Sequence, residues 1–482
     1  MKKFIIVGSG TSGLIAASMI KKTWKNKVQV SVIYDSKKKN IGVGESTTPI
    51  VHLLVENYLK GLYDLLGKTS TTLKVGINFK NWIPGKEYFH GFPELDWQES
   101  DGYPSALYTI INERYNGGVL HNSADTTVPT NYYRKLNALH IDTQEFSEYV
   151  HDLIKDQVDF IDDIVEEVHS DGKNITGLTC RDSGRLEADY YIDCSGFDAI
   201  LLRELNPEWN DISDILPLDR AIPQQVPYEF DEIPSYTQAE ATKNGWIWKI
   251  PIGNRYGTGY VYSSKFTTDE EARKDYNNWL KDNFNTELKT DKIIPYKPGY
   301  YTDHWIGNCL AVGLSSGFVE PLESTGIHII VNQVETFIKY NLSLKGLEYN
   351  KKRCNSLNRT LYKEIIEFIC LHYNTRREDS DFWKYMSSNQ TEWIQNFAEK
   401  CKQEFLSSDD IGEDKVFWTV DSYIQVANGL DMFDHDSIKQ FLDLQPDKED
   451  IIERSNSFNQ ELEHSKKTVT RLSHKEFLSN FR

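Results

Sequence analysis

Three glycines near the start of the sequence have the spacing of a phosphate-binding turn. Gly8, Gly10 and Gly13 follow the apolar run KKFIIV and precede a stretch with the apolar spacing of a helix. In such a turn the first glycine permits the tight bend, the second lets a pyrophosphate approach the backbone, and the third lets the helix pack on its strand. The N–H groups at the helix start add positive potential. We therefore predict a dinucleotide-binding loop formed by Gly8, Gly10, Thr11, Ser12 and Gly13.

A carboxylate follows this turn at the distance expected for ribose recognition. Asp35 ends the alternating run VQVSVIYD, about 20 residues beyond the glycines, where its side chain can accept ribose hydroxyls. The order strand, glycine turn, helix, strand is the opening unit of a doubly wound α/β fold. Glycine-rich turns also serve purely structural ends, but the strand, the helix and the acid together favour dinucleotide binding.

Two further segments have the composition of flavin contacts. One, KKKNIGVGESTTPI (residues 37–50), contains Gly42 and Gly44, and the other is NCLAVGLSSGFVEPLESTG, near residue 310. Many flavoproteins return a late strand–loop–helix segment of this kind to the cofactor. The sequence has no second Gly-x-Gly-x-x-Gly unit for a nicotinamide nucleotide, so we predict FAD that a separate flavin reductase reduces to FADH2. The predicted contacts here are Gly44, Glu45, Ser46, Gly313 and Ser324.

The rest of the chain must hold these loops in place. The sequence predicts an α/β fold with a Rossmann-like, FAD-binding domain over residues 1–325. Segments of about 50–135 and 205–300 are predicted to be inserted into it. Residues 225–300 are rich in Tyr, Pro and Trp, which favours a mostly antiparallel substrate layer. Residues 326–482 are increasingly charged and are predicted to form a mostly helical, substrate-binding C-terminal region.

Two local patterns make more specific predictions. The apolar spacing of residues 50–66 predicts a helix. A meander of strands, with a turn at Asp171-Gly172, is expected to return to the first sheet at Tyr191–Cys194.

Composition excludes several partners. The formal charge of -18 argues against nucleic acid and anionic membrane as main partners. No segment reaches the roughly 18 apolar residues needed to span a bilayer, and we predict a cytoplasmic protein. The 6 cysteines lack C-x-x-C spacing, which predicts reduced thiols and no metal site. The sequence leaves the choice between a monomer and a homo-oligomer open.

Five segments together resemble a known family. In chain order they are IGVGEST (41–47), LHIDT (139–143), DCSGF (193–197), GWIWKIP (245–251) and GFVEPLESTGIHI (317–329). They resemble the flavin-dependent tryptophan halogenases, whose fold is that of the flavin monooxygenases. The resemblance implies that FADH2, O2 and a halide such as chloride or bromide yield hypohalous acid. It also implies that this acid passes through an internal tunnel to an aromatic substrate that never touches the flavin.

The resemblance also implies catalytic residues. Lys74, in the run LKVGINFKNW, matches the family lysine, whose ammonium holds and polarises hypohalous acid or becomes a haloamine. Without the resemblance, Lys74 and Lys80 would be interpreted as the solvated ends of a strand. Glu323 matches the glutamate that assists the lysine, and Glu320 is its competitor in the same loop.

Further matches define a halide site and a substrate pocket. Thr325 and Gly326 match the positions that hold the halide in the family, where Ser324 or Thr325 would cap the following helix. The resemblance implies that two tryptophans on one strand face wall the flavin from the substrate and block direct oxygen transfer. The segment YFHGF resembles the pocket neighbourhood of the family. The predicted pocket residues are His90, Phe92, Trp246 and Trp248.

The sequence departs from the family beyond residue 383. Only about forty residues separate Trp383 from VDSYIQVANGLDMF (420–433), and Tyr423 stands where the family usually has Trp. The family's clamp for the amino-acid carboxylate has no match here. Trp393, Phe397, Phe417 and Trp418 could stack on a substrate, although such spacing is more often core. We therefore predict a small, electron-rich aromatic substrate, indole-like or phenolic, rather than specifically free tryptophan.

Two alternatives stay open at this point. An FAD-dependent aromatic monooxygenase would share the flavin chemistry, but such hydroxylases usually carry a Gly-Asp pair where this chain has Val312-Gly313-Leu314-Ser315. A non-catalytic binding module could share the flavoprotein fold. The retained glycine turn and Asp35 predict bound FAD, so FAD titration discriminates the latter.

Overall fold

The parallel core of the fold is a six-stranded sheet. The computed structural model describes residues 1–38, 44–92, 127–129, 138–404, 406, 408–412, 417–468 and 471–482. In spatial order the sheet consists of strands Trp305–Ile306, Cys309–Ala311, Tyr190–Asp193, Lys2–Val7, Val28–Tyr34 and Asp159–Asp162. Neighbours are parallel except for the hairpin of the first two. The strand Tyr190–Asp193 lies beside Lys2–Val7, so the predicted return to the first sheet is confirmed.

The strands of this sheet are apolar on both faces, and helices cover one of them. Helix Thr11–Trp24 and helix Gly326–Tyr340 pack on one face, where Phe337 contacts the rings of Phe4 and Trp24 edge-on. The predicted opening unit of strand, turn, helix and strand is therefore present, and the α/β class is confirmed.

A second sheet of seven strands supplies the floor of the candidate site. In spatial order its strands are Ile294–Pro295, Arg220–Pro227, Arg255–Tyr262, Gly245–Ile252, Tyr236–Ala241, Gly76–Lys80 and Glu87–Gly91. Only the pair Tyr236–Ala241 and Gly76–Lys80 is parallel. The predicted antiparallel layer is thus confirmed, with one parallel pair that joins the two inserted segments.

Helices cover both faces of the second sheet. Helix Asp269–Phe284 packs on one face against Ile247 and Tyr260. The other face carries Trp246 and Trp248, which pack on the helical region. Its helices are Gly326–Tyr340, Glu348–His372, Asp381–Ser388, Glu392–Gln403, Ser408–Ile411, Val420–Gly429, His435–Leu444, Lys448–Thr468 and His474–Ser479. This confirms the predicted helical character, whereas the domain boundary at 325/326 stays a prediction.

Shorter elements connect these layers. The small sheets comprise Glu45–Ser46, Ala138–Ile141 and Thr72–Lys74; Val165–Ser170, Ile175–Cys180 and Gly184–Leu186; Trp209–Asp211, Gly299–Tyr301 and Gly317–Phe318; and Thr127–Pro129 with Arg471–Ser473. Within the described residues, the remaining α-helices are Ile50–Tyr58, Leu62–Lys68 and Thr143–Ile154. The prediction of one helix over 50–66 was wrong, because Gly61 adopts φ +92° and interrupts it.

The structure also bears on the predictions about cysteines, metal sites and membrane-spanning helices. All 6 cysteines are unpaired and buried. Within the described part of the chain, no His, Cys, Asp and Glu side chains form a group of three or more suited to a metal. None of the described helices has the length and apolar character of a membrane span. Gly42 and much of the first inserted segment lie outside the described residues.

Candidate active site

The first glycine turn is shaped as a phosphate-binding turn requires. Gly8 adopts φ +111°, and a Cβ atom there would overlap the carbonyl oxygen of Cys194. A Cβ atom at Gly13 would overlap the carbonyl oxygen of Gly8, so only glycine lets the helix lie this close to the turn. Gly10 is the N-cap of helix Thr11–Trp24 and has no side chain to occupy the helix start. The cradle therefore fits a pyrophosphate.

We expect Gly8→Ala to weaken FAD binding at least about tenfold, because the added Cβ must push the turn away from the helix start. FAD fluorescence titration measures this, with thermal unfolding as the check on folding. Gly172→Ala is the matched control. Gly172 likewise has a positive φ, of +82°, but no atoms lie within 4 Å of a Cβ added there. Equal FAD affinity in Gly8→Ala and wild type would contradict this assignment of the turn.

The late loop that carries Gly313 lies beside the first glycine turn. An ideal Cβ on Gly313 would lie 3.2 Å from Cβ of Ser12, so the two loops are adjacent. The Gly313 amide donates to Oε1 of Gln333 at 2.9 Å, which fixes the loop against helix Gly326–Tyr340. Asp35 directly follows strand Val28–Tyr34, and its carboxylate accepts the Lys37 amide at 2.9 Å.

The segment from Gly44 to Thr47 lies against the second sheet. Strand Glu45–Ser46 pairs with Ala138–Ile141, and the Ser46 hydroxyl lies 2.7 Å from that of Thr237. Gly44 adopts φ +76° next to Ile252. Burial raises the pKa of Glu45 to about 7. This segment places the carbonyl of Thr47 beside the predicted lysine, so the predicted cofactor residues Gly44, Glu45 and Ser46 adjoin the predicted catalytic site.

Lys74 is fully buried rather than solvated. It ends strand Thr72–Lys74, and Nζ donates to the carbonyl of Thr47 at 2.9 Å and to Oγ of Ser324 at 3.0 Å. Its Nζ lies 5.0 Å from the ring centre of Phe92. Burial lowers the pKa of Lys74 to about 7, although the charge of Glu323 acts to raise it. The interpretation as a solvated strand end is therefore wrong for Lys74, whereas Lys80 is half-exposed and pairs with Glu240.

Glu323 lies in the same cluster and is held by two histidines. Nδ1 of His90 lies 3.1 Å and 3.2 Å from its two carboxylate oxygens, and Nε2 of His372 lies 2.8 Å from Oε1. Burial by itself raises the pKa of Glu323, but the charge of His90 and the close approach of both histidines lower it to about 2. Glu323 is thus an ionised carboxylate in a buried setting.

His372 is a site residue that the sequence did not predict, although it lies before residue 383, where the sequence departs from the family. It ends helix Glu348–His372, and its ring stacks on Phe79 at 4.4 Å. Its Nδ1 lies 2.8 Å from the hydroxyl of Tyr88. When Tyr88 donates to Nδ1, the proton of the neutral ring lies on Nε2, toward Glu323. The only sequence signal was a histidine at a helix end, which is more often structural.

Glu320 differs from Glu323 in ionisation. Its Oε1 accepts hydrogen bonds from Nε1 of Trp246 at 3.1 Å and from the Tyr373 hydroxyl at 2.9 Å. Burial raises the pKa of Glu320 to about 8, so this group is a neutral acid near pH 7. A proton acceptor must be ionised, and this ranks Glu323 above Glu320 for that role.

Both predicted tryptophans are buried on one face of strand Gly245–Ile252. Their ring centres lie 6.3 Å apart at 63°, and Trp248 packs over Gly259. Trp246 reaches the Glu320 carboxylate, whose loop also carries Glu323. Their role as a wall between flavin and substrate stays a prediction.

The predicted halide positions lie at the start of helix Gly326–Tyr340. Thr325 is the N-cap residue, but its side chain forms no cap, so the predicted side-chain capping is absent. Gly326 is exposed, and an added Cβ there would meet no atom within 4 Å. Ser324 adopts φ +60°, an uncommon conformation for a residue other than glycine. This open helix start can accommodate an anion beside the Lys74 cluster.

The aromatic residues beyond 383 pack among themselves. Trp393 and Phe397 contact Tyr423 at 5.7 Å and 5.9 Å, and Trp418 stacks on Phe368 at 4.1 Å. Phe368 also faces the His90 ring at 5.4 Å. These rings therefore build the wall behind His90 and are core residues in this structure.

Comparison of the sequence with known proteins identifies tryptophan halogenases. The tryptophan halogenase family matches residues 3–447. The chain is 30% identical to tryptophan 6-halogenase SttH of Streptomyces toxytricini over 420 residues, which are 79% of this chain and 80% of that protein. It is also 30% identical over 431 residues to tryptophan 7-halogenase RebH of Lentzea aerocolonigenes, with coverage of 79% and 78%.

A solved structure agrees over the whole chain. The tryptophan C-6 flavin-dependent halogenase Tar14, a chlorinase from taromycin biosynthesis, superimposes with a TM-score of 0.88 at 27% identity. The superposition covers 100% of both chains.

Proposed function

Because the chain belongs to the tryptophan halogenase family, we propose that Lys74 and Glu323 are the catalytic pair of a flavin-dependent halogenase. The protein is an oxidoreductase of this family, and its reaction places a halogen on an aromatic ring. The proposed substrate is a small, electron-rich aromatic, indole-like or phenolic.

One observation carries the proposal. Lys74 and Glu323 come from segments 249 positions apart, yet both are fully buried and adjoin one residue, since Ser324 accepts a hydrogen bond from Lys74 and follows Glu323 directly. Burial of a lysine and an ionised carboxylate is costly, and such pairs concentrate at functional sites. The left-handed conformation of Ser324 is unfavourable for a residue other than glycine. An ion pair with a purely structural role would not require this conformation in the residue next to Glu323.

The cofactor residues fit this chemistry. The glycine turn, Asp35, Gly313 and the segment from Gly44 to Ser46 would hold FAD, which a separate reductase would deliver in its reduced form. Bound reduced flavin would supply the activation of O2 that oxidises halide to hypohalous acid. Thr325 and Gly326 at the open helix start would hold the halide.

Lys74 and Glu323 take different steps of the halogen transfer. The Lys74 ammonium donates a hydrogen bond to the oxygen of hypohalous acid, which makes the halogen more electrophilic and aims it at the ring. The ring attacks the halogen, the halogen–oxygen bond breaks, and the oxygen leaves as water with the lysine proton. Glu323 takes the proton from the attacked carbon, and His90 and His372 hold its carboxylate in place. Release of that proton by Glu323 and uptake of one proton by Lys74 restore the starting state.

The substrate position follows from the same contacts. His90 and Phe92 meet at 6.3 Å, and Phe92 also faces Nζ of Lys74. A flat aromatic ring that stacks beside them would present a carbon to Lys74 and Glu323. The burial of Tyr423 within the aromatic wall favours recognition of the ring rather than of an amino-acid carboxylate.

The test of the proposed function combines the protein with FAD, an unrelated flavin reductase, NADH, bromide and a panel of indoles and phenols. Mass spectrometry should show the bromine isotope doublet in at least one product. A product heavier by one oxygen, without bromine, would identify a monooxygenase instead. Absence of FAD binding in titration would favour the non-catalytic binding module.

The pH dependence provides a further prediction. The pKa of Lys74 is lowered to about 7, so the ammonium form is lost as pH rises through that value. We expect the fraction of hypobromous acid transferred to substrate to fall about fivefold from pH 7 to pH 8, in proportion to the protonated lysine. Bromide is used because hypobromous acid stays protonated to higher pH than hypochlorous acid. A transfer fraction that rises with pH would indicate a neutral amine and the haloamine route.

A further inference from the structure

The segment that contains helix His474–Ser479 packs against the short strand that carries Lys74. His474 is fully buried there, 400 positions from Lys74 in sequence. The backbone amide of Leu73 donates to Nε2 of His474 at 2.9 Å. Arg482 donates to the carbonyl of Thr71 at 2.9 Å. Contacts from this segment thus reach two of the three residues directly before Lys74.

The Leu73 amide has His474 as its hydrogen-bond acceptor because the register of the sheet turns this amide away from the neighbouring strand. Leu73 lies opposite Leu139 in the antiparallel pair. Leu139 uses both of its backbone groups on the other side, since its amide donates to Oγ1 of Thr47 at 2.8 Å and its carbonyl accepts the Thr47 amide at 2.9 Å. The Leu73 amide therefore points away from its partner strand, to the edge that His474 covers.

The tautomer of His474 follows from its two partners. Nε2 accepts an N–H group and so carries no proton, whereas Nδ1 lies 3.1 Å from the carbonyl of Ile233 and must donate to it. Burial lowers the pKa of His474 to about 4, so the ring is neutral near pH 7. A neutral ring adds no positive charge next to the Lys74 ammonium.

The segment is anchored independently of the lysine strand. The His474 amide donates to the Glu232 carboxylate at 2.7 Å, and Lys475 donates to the carbonyl of Phe230 at 2.7 Å. Phe481 stacks on Tyr63 at 4.8 Å. These contacts fix the backbone around His474 without any contribution from the Lys74 strand. The Nε2 atom of its ring is therefore held at a fixed position.

We propose that His474 is a positioning residue for halogen transfer, which holds the Lys74 strand in register by accepting the Leu73 amide. The proposal rests on the proposed role of Lys74. A displacement of reacting groups by about 1 Å can cost a hundredfold in rate. Loss of the acceptor should therefore reduce transfer to substrate while leaving the formation of hypohalous acid at the flavin unchanged.

Two substitutions separate the two hydrogen bonds of the ring. In His474→Gln the side-chain oxygen can occupy the place of Nε2 and accept the Leu73 amide, but the donor to Ile233 is lost. In His474→Asn the amide nitrogen can occupy the place of Nδ1 and donate to Ile233, but the acceptor for Leu73 is lost. A merely structural role would not make the first variant better than the second.

The experiment measures two quantities with bromide and an accepted aromatic substrate. One is total hypobromous acid, as product plus acid trapped by an added scavenger, and the other is the fraction that becomes product. We expect His474→Asn to lower that fraction about tenfold and His474→Gln to keep it within about twofold of wild type, with total acid unchanged in both. FAD binding and thermal unfolding establish that each variant is folded.

Arg482→Ala provides a milder variant if His474→Asn fails to fold, and it should lower the transferred fraction about twofold through loss of the bond to Thr71. Folded variants that all transfer the wild-type fraction would overturn the proposal, as would equal losses in the Gln and Asn variants. A wild-type protein that forms hypobromous acid but transfers none, or forms none, would instead contradict the proposed function.

Discussion

Lys74→Ala should lower halogenated product by about a hundredfold to a thousandfold while FAD binding and hypohalous acid formation persist. The reason is that the Lys74 ammonium is buried beside Ser324 and Phe92, where it can donate a hydrogen bond to the oxygen of the acid and polarise it. Product is measured by mass spectrometry and total hypobromous acid with a scavenger.

Two controls separate chemistry from packing. Lys74→Met keeps the buried volume without the charge, so it should lose as much product as Lys74→Ala while being better folded. Lys80→Ala removes a partly exposed lysine that is paired with Glu240, and it should keep product within about twofold of wild type. Product at the wild-type level in a folded Lys74→Met would contradict the catalytic role.

Glu323→Gln should lower the rate of product formation about a hundredfold with little change in substrate KM. The substitution keeps the size of the side chain and its contacts with His90 and His372, but the amide cannot accept a proton. Loss of the ring proton should then limit the rate. Competition between a substrate and its ring-deuterated form should show an isotope effect in the variant that is absent from the wild type.

Glu320→Gln is the matched control for this substitution. The pKa of Glu320 is raised to about 8, so the wild-type group is already neutral near pH 7 and an amide reproduces its charge. We expect product within about threefold of wild type. A large loss in Glu320→Gln together with a small loss in Glu323→Gln would reverse the two roles.

Much of the cofactor half could be predicted from the sequence. The glycine turn, the helix after it and Asp35 are local features, because a backbone conformation such as that of Gly8 constrains which residue can occupy the position. The antiparallel second layer was predicted from the abundance of Tyr, Pro and Trp in its sequence. The break at Gly61 was missed because helical spacing of apolar residues continues across it.

The sequence by itself determined the fold class, the dinucleotide turn and the family, since these depend on short segments with strong local constraints. Only the tertiary structure decided that Lys74 is buried while Lys80 is not, and that Glu323 is ionised while Glu320 is neutral. The ionisation of Glu323 comes from His90 and His372, which lie far away in the chain. The ionisation of a buried group depends on the few side chains that surround it, and no local pattern records which they are.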